Sequence, residues 1–337
     1  MMHRISPRRS RSLGGSRGRV QSPNPEQWLL QSKHGPFPSV PSGASGGVSS
    51  PLVSVGLPVY NGGPSLRAAL DALLAQTLTD LELIVADNAS NDSTAEICAE
   101  FARRDPRVRV HRHRENIGAP GNWNFVARLA RGSYLKWAAA SDLCAPTLLE
   151  RCVAVLEAEP DAVLCFPRTE FVAGDGTSLG LCDADFEVLS ARPAERFGEI
   201  CGRMTVNNAQ SGVIRLAALR KTRYDRYYPH GDLALMAELA LLGRFRMVPE
   251  VLLYRRADRE SWTGNRTPLE LERLFVPGAM RPRRLLRLRR QLDYLYSALR
   301  APIPVVDRVR AASFAARHLY WNRREVSFEL RTLFGAK

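Results

Sequence analysis

"LELIVADNASNDSTAEICAEFARR", residues 81–104, decides the fold. It opens on a short apolar run, passes through a cluster of Asn, Asp and Ser, and closes on apolar residues at helical spacing. The spacing predicts a strand over 81–87, a polar loop over 87–94 and a helix over 93–104, with Ser93 of the type that caps a helix start.

The same texture repeats on both sides. "LVSVGLP" (52–58) predicts a first strand and "PSLRAALDALLAQT" (64–77) a helix with Pro64 suited to its first turn. "RVRVHR" (107–112) predicts a third strand, "GNWNFVARLARG" (121–132) a helix closed by glycine, and "SYLKWAA" (133–139) a fourth strand. Alternating strands and helices imply right-handed crossovers and a mainly parallel sheet flanked by helices, with ligands bound at the carboxyl ends of the strands. Polar segments follow each strand: "PVYNGG" (58–63), "DNASNDST" (87–94), "RENIGAPGN" (114–122) and "ASDLCAP" (140–146). Neither GxGxxG after the first strand nor GxxxxGK[ST] anywhere is present, which counts against a dinucleotide dehydrogenase and a P-loop NTPase.

The chain has 337 residues, 45% hydrophobic, with a net charge of +14. Residues 1–50 carry seven Lys/Arg against one Glu, and residues 266–337 sixteen against six Asp/Glu, so 51–265 is left near −2. The basicity belongs to the ends, and the central domain is no platform for nucleic acid. Six cysteines show no CxxC and no His-rich partner spacing, which argues against zinc and a disulfide framework and fits a reduced, cytoplasmic setting. No apolar run is long enough to span a bilayer. Residues 1–50, rich in Ser, Gly, Pro and Arg and without a secretory apolar region, read as a disordered basic tail. A mis-assigned start and an organellar transit peptide are the alternatives.

The four strand-end segments, in this order and at these spacings, resemble the inverting family 2 glycosyltransferases of GT-A fold over about residues 52–260. The resemblance implies a GT-A domain at 51–265, with a nucleotide-binding half at 51–160 and an acceptor half at 161–265. Tyr60 would then lie against a nucleotide base, with Asn61 beside it and the backbone near Pro58 lining the pocket; the plain alternative is a strand-end turn. Asp87 resembles the aspartate that accepts from the imide N–H of uracil, or else it bonds nearby amides as a turn former, while Asn88, Ser90 and Asp92 shape the loop. Asn116 and Gly118 would border the nucleotide and its phosphates, unless they are an ordinary loop-to-helix junction.

Family members carry an acidic cluster where this chain has Ala139-Ala140-Ser141-Asp142. Asp142 matches the aspartate expected to hold Mg²⁺ or Mn²⁺ at the diphosphate, and Ser141 replaces the residue that meets the ribose. A hard cation keeps waters and takes phosphate oxygens, so one carboxylate suffices. The alternative for Asp142 is an N-cap of the helix in "PTLLERCVAVLEAEP". Asp232 aligns with the general base that takes the acceptor hydroxyl's proton, or it complements a helix dipole. Glu238, inside the helix, is a poorer base. Asp258 stands where relatives often have a metal-side histidine, and is either an oxygen ligand or a surface charge.

Further along, "DAVLCFP" (161–167) and "QSGVIRL" (210–216) predict strands, and 230–256 a helix followed by strands. The basic extension 266–337 mixes arginines with Leu, Tyr and Phe at helical spacing. Such helices pack on the domain with a basic exterior, lie on an anionic membrane, or bind single-stranded nucleic acid, the last without any accompanying motif. The combined expectation is transfer of a sugar from a nucleoside-diphosphate donor, UDP-linked, to a hydroxyl of a glycan such as a cell-envelope polysaccharide or of a lipid-linked acceptor. Its rivals are a nucleotide-sugar-binding protein that has lost turnover and a basic nucleic-acid-binding protein.

Overall fold

The computed structural model describes residues 50–257, 267–281 and 285–333. The first half is built from β1 (Val53–Val59), α1 (Gly63–Leu74), β2 (Leu81–Asp87), α2 (Thr94–Arg104), β3 (Val108–Arg112), α3 (Ala119–Leu129) and β4 (Tyr134–Trp137). All pairings here are parallel, in the order β3-β2-β1-β4. Every residue of β1, β2 and β4 is buried, as expected for parallel strands covered on both faces.

Then come β5 (Leu143–Cys144), α4 (Leu148–Ala158), β6 (Ala162–Val172), β7 (Ser178–Leu181), α5 (Pro193–Arg203), β8 (Val213–Arg215), α6 (Leu216–Leu219), α7 (Asp232–Leu242) and β9 (Arg244–Arg256). These extend the sheet as β4-β8-β6-β9-β5, with β7 beside β6. β8 is antiparallel to both β4 and β6, while β6 and β9 run parallel. The sheet is thus parallel through its first four strands and mixed beyond them. Four helices follow: α8 (Pro268–Phe275), α9 (Leu286–Arg300), α10 (Val305–Trp321) and α11 (Arg323–Leu333).

Alternate strand residues face opposite layers. Ile84, Leu135, Trp137, Leu164 and Ile214 join one core with α3, α5, α7, α9 and α10, whereas α1, α2 and α4 cover the other face. α7 is buried along nearly its whole length, between the sheet on one side and α5 and α9 on the other.

Local boundaries depart from the sequence reading for identifiable reasons. α3 ends at Leu129 with Ala130 extended, so Gly132 does not close it. A Cβ on Gly132 would lie 2.8 Å from the Ser54 amide, and close passage beside β1 is what calls for glycine there. α2 begins without a side-chain cap from Ser93; Asp92 Oδ1 instead accepts from the Thr94 amide at 3.0 Å. Residues 209–211 form a 3-10 turn, leaving only 213–215 as strand. Among the described residues no helix is long and apolar enough to cross a membrane.

Candidate active site

The parallel register brings the ends of β1 and β2 level, Pro58 opposite Ala86 and Val59 opposite Asp87. Beyond β1, Asn61 takes a left-handed φ of 51°. Its amide donates to Ser90 Oγ at 2.9 Å and its Oδ1 accepts from the Asn91 amide at 3.0 Å. Gly62 and Gly63 donate to Thr94 Oγ1 and Asp92 Oδ2, each at 2.9 Å. The first loop is therefore stapled to the second, and Tyr60 stands out from it, 47% exposed.

Asp87 is 1% exposed. Its Oδ1 accepts from the Ser90 amide at 2.9 Å, closing the turn. Its Oδ2 accepts no hydrogen bond and lies 3.4 Å from Arg112 Nε. A buried carboxylate oxygen left so is costly unless a donor arrives.

Asn116 and Asn88 bind each other's loops. Asn116 Oδ1 accepts from Asn88 Nδ2 at 2.9 Å and from the Gly118 amide at 2.8 Å, and Asn88 Oδ1 accepts from the Ile117 amide at 2.9 Å. Gly118 has φ +78°, and a Cβ there would lie 2.3 Å from the Phe275 carbonyl oxygen. The close approach that glycine permits is thus taken by the end of α8. Asn122, unflagged by spacing, ties the strand ends together: its Nδ2 donates to the Ala86 carbonyl at 2.7 Å and its Oδ1 pairs with His113 Nε2 at 3.0 Å.

Asp142 does not cap α4. The two-residue β5, paired antiparallel to β9, lies between them, and the N-cap position of α4 is Thr147, without a side-chain cap bond. Asp142 Oδ1 accepts from Ser141 Oγ and from the Arg256 amide, both at 3.2 Å. Burial pushes its carboxyl up, opposed by the Arg255 charge and then by the Arg256 amide.

Farther along the chain, Asp232 opens α7, and its Oδ2 accepts from Asn207 Nδ2 at 2.8 Å. Beside it Asp225 is pushed up to about 8 by burial and by the Asp232 charge, against bonds from Arg226 and Gln210. Asn124 holds the Asp225 backbone from both sides, at 2.9 and 3.0 Å. Arg255 Nη1 donates to Asn208 Oδ1 at 2.7 Å. The 207–210 stretch thereby meets Asp232 through Asn207 and the end of β9 through Asn208, and the same β9 end donates its Arg256 amide to Asp142. Glu238 is spent on Arg223 and Arg226, at 2.7 and 2.6 Å.

Residues 54–221 match the family model described as glycosyl transferase family 2. These residues are a family 2 glycosyltransferase domain. The uncharacterized glycosyltransferase EpsJ of Bacillus subtilis is 36% identical over 101 residues, 30% of this chain and 29% of that protein. The uncharacterized protein Rv1520 of Mycobacterium tuberculosis is 31% identical over 210 residues, 60% of this chain and 58% of its own length. The chain thus spans well under two thirds of the length of these curated relatives. TarS of S. aureus in complex with UDP superposes with TM-score 0.57 at 16% identity, covering 81% of this chain and 73% of that one. The fold is that of the GT-A glycosyltransferases.

The glycosyltransferase family match stops short of Asp232, which the fold nonetheless ties to the end of β9 through Asn207 and its neighbour Asn208, the latter held by Arg255. Among the described residues no group of three or more His, Cys, Asp or Glu is placed to hold a metal ion, and Asp258 lies outside the described residues. Both hydrogen bonds to Asp142 end on Oδ1. Its Oδ2 accepts no hydrogen bond from the described residues and, as a carboxylate oxygen, is of the type that would suit a hard divalent cation.

Proposed function

We propose that this glycosyltransferase moves a sugar from a UDP-linked donor to a hydroxyl on a glycan or a lipid-linked acceptor, with inversion. Asp87 carries the reading. Its Oδ2, ion-paired with Arg112 at 3.4 Å, is a buried acceptor without a hydrogen bond at the end of a central parallel strand, where a uracil imide N–H would complete it. Tyr60 flanks the base, the Pro58 backbone and Asn61 shape the pocket wall, and Ser141 meets the ribose. The loop held by Asn116 and Gly118 borders the phosphates. Asp142, joined by Asp258, would hold Mg²⁺ or Mn²⁺, whose chemistry is to neutralise charge on the departing diphosphate.

Asp232 accepts the acceptor hydroxyl's proton as that oxygen attacks the anomeric carbon from the face opposite the diphosphate. Asn207 orients the carboxylate through Oδ2. Attack and departure on opposite faces need only one base. The protein works at the cytoplasmic side, where nucleotide sugars are made, and peripheral contact with an anionic membrane brings it to lipid-linked acceptors; nucleic acid is not a partner.

The test is calorimetric titration of UDP against wild type and Asp87→Ala. Loss of a charge-assisted bond should weaken binding by about 1.5–3 kcal/mol. Equal affinity in a folded variant overturns the assignment. A second reading, a nucleotide-sugar binder without turnover, is favoured by Ser141 in the place of a carboxylate, and a UDP-release assay separates the two.

A further inference from the structure

β4 carries a buried cation near its end. All four of its residues are sealed from solvent, and strands covered on both faces fill such positions with apolar side chains. Lys136 breaks that rule at 1% exposure. Its Nζ donates to the Ser211 carbonyl at 2.5 Å and to the Trp137 carbonyl at 3.3 Å, and no carboxylate among the described residues pairs with it. The Cys144 and Cys152 thiols feel its charge, but burial pushes both thiols up and keeps them neutral. An unpaired ammonium in the interior is costly, and an apolar side chain of similar length would spare the sheet that cost. The return has to come from what the ammonium holds.

It holds a turn that the sheet does not. The β4–β8 ladder stops at Lys136, opposite Val213. Just before Val213, Gly212 passes so close to β6 that a Cβ would lie 2.4 Å from the Cys165 carbonyl oxygen, and residues 209–211 form the 3-10 turn. The Ser211 and Gly212 amides are used inside that turn, on the Asn208 and Ala209 carbonyls at 2.9 and 3.0 Å. Where the ladder gives out, the Lys136 side chain takes over and fixes the Ser211 carbonyl to β4.

The turn in turn carries the group that orients Asp232. Asn207 Oδ1 accepts from the Gln210 amide at 3.2 Å, and Asn207 Nδ2 donates to Gln210 Oε1 at 3.3 Å and to Asp232 Oδ2 at 2.8 Å. Asn207 is thereby locked to the turn through both its donor and its acceptor atoms, so a displacement of Ser211 is passed on to the Asp232 carboxylate. The same ammonium is felt on the donor side: burial pushes the Asp142 carboxyl up, opposed first by the Arg255 charge and last by that of Lys136. One buried cation stands between the strand end that leads to Asp142 and the turn that serves Asp232.

We infer that Lys136 is a positioning residue for the transfer reaction, fixing the 207–211 turn to β4 and, through Asn207, the carboxylate of Asp232. The inference rests on the reading of Asp232 as the base and adds the group that places it. Misplacing a reacting group by about 1 Å can cost about 10²-fold in rate, and a bond from a rigid central strand removes that slack.

Lys136→Met and Lys136→Leu remove the donor and the charge and keep apolar bulk. The rate is read as UDP release from UDP-glucose or UDP-N-acetylglucosamine, whichever the wild type cleaves faster, with water standing in for the acceptor hydroxyl. Both variants should lower kcat at least about tenfold, with donor KM and UDP affinity within about twofold of wild type. Asn207→Ala should lower kcat alike, and Lys136→Met combined with Asn207→Ala should lose little more than the larger single loss, because both act on one carboxylate. Amide hydrogen exchange, which needs no substrate, should speed up over residues 207–212 in Lys136→Met and stay unchanged in β1 and β2. Wild-type kcat in either Lys136 variant, losses that multiply in the double variant, unchanged exchange over 207–212, or failure of both Lys136 variants to fold overturns the inference. Asp232→Asn tells its failure from that of the base assignment. Full turnover in Asp232→Asn removes the base and the role of Lys136 with it, whereas lowered turnover there beside wild-type kcat in the Lys136 variants removes Lys136 alone.

Discussion

Glu82 and Asp87 stand at opposite ends of β2, both sealed from solvent, at 3% and 1% exposure, and the chain treats them in opposite ways. Glu82 is satisfied several times over. Ser54 Oγ donates to it at 2.7 Å, Arg109 at 2.6 Å, and Arg131 through its amide at 3.0 Å and its guanidinium at 2.8 Å. Burial raises its pKa, and those bonds together hold it below the usual carboxylate range. Asp87 receives one amide and keeps an oxygen with no hydrogen-bond donor. The amino edge of a parallel sheet is where the chain closes on itself; the carboxyl edge is where it leaves polar valence for something else.

The largest effect that tests this division is at the carboxyl edge. Asp232→Asn should lower transfer by about 10²–10⁴-fold, the usual scale of general-base catalysis, with UDP affinity and thermal stability nearly unchanged. Single-turnover sugar transfer to the best acceptor reads the first and calorimetry the second. A variant that loses stability and keeps its rate would make the two edges alike.

At the amino edge the prediction reverses. Glu82→Ala strands Ser54, Arg109 and the Arg131 guanidinium, of which only Ser54 is buried, and should cost about 1–3 kcal/mol of folding stability. UDP affinity of the folded fraction should not change. Chemical denaturation and calorimetry of the same preparation decide it. With Glu82→Gln the comparison gains a pH axis. The folded pKa of Glu82 is depressed, so its contribution is present above the unfolded value of about 4.3 and is lost as pH falls through the folded one. The stability gap between wild type and Glu82→Gln should therefore narrow on acidification below about pH 5.

Asp87 and Glu82 were not equally legible in the sequence. Period and punctuation reveal a strand over 81–87, and parallel topology then marks its last residue as facing a ligand. Nothing local tells that Glu82 will be buried, because its donors come from β1, β3 and the segment after α3. The same limit applies around Asp232. Asp232 was visible as an acidic helix start, whereas Asn207 and Asn208, and the Arg255 that bonds Asn208, come from a polar stretch without periodicity and from the end of a long strand. Lys136 reads as one residue of an apolar run, yet it is 1% exposed and its Nζ donates to the Ser211 carbonyl at 2.5 Å. Asp142 was legible as a strand-end carboxylate, but its partner, the Arg256 amide, is 114 positions away. Such pairings are decided by the closed sheet and not by any window of sequence.

A smaller effect sharpens the cost of leaving Asp87 open. Asp87→Asn removes a buried charge whose second oxygen lacks a donor, so folding stability should change by less than about 1 kcal/mol, in contrast to the loss at Glu82. Denaturant midpoints of the two variants, measured side by side, show whether the division holds. A loss at Asp87 as large as that at Glu82 would mean that its oxygen serves the fold.

The smallest effect is also the most specific, because it turns on sign. Asp225 lies beside Asp232 with its pKa pushed up to about 8, far above the ordinary value of about 3.9. Between those two values the folded protein holds a proton that the unfolded chain has released. The group's contribution is therefore complete below about pH 4, drains as pH rises, and is gone above about pH 8. Asp225→Asn cannot titrate, so its stability relative to wild type should climb from pH 5 to pH 9, whatever constant offset the amide introduces through Gln210. Glu82→Gln should change its gap only in acid and in the other direction. Denaturant midpoints of the three proteins at pH 4, 5, 7 and 9 give both slopes at once. A flat Asp225→Asn gap between pH 5 and 9 would show that Asp225 is ionised in the fold.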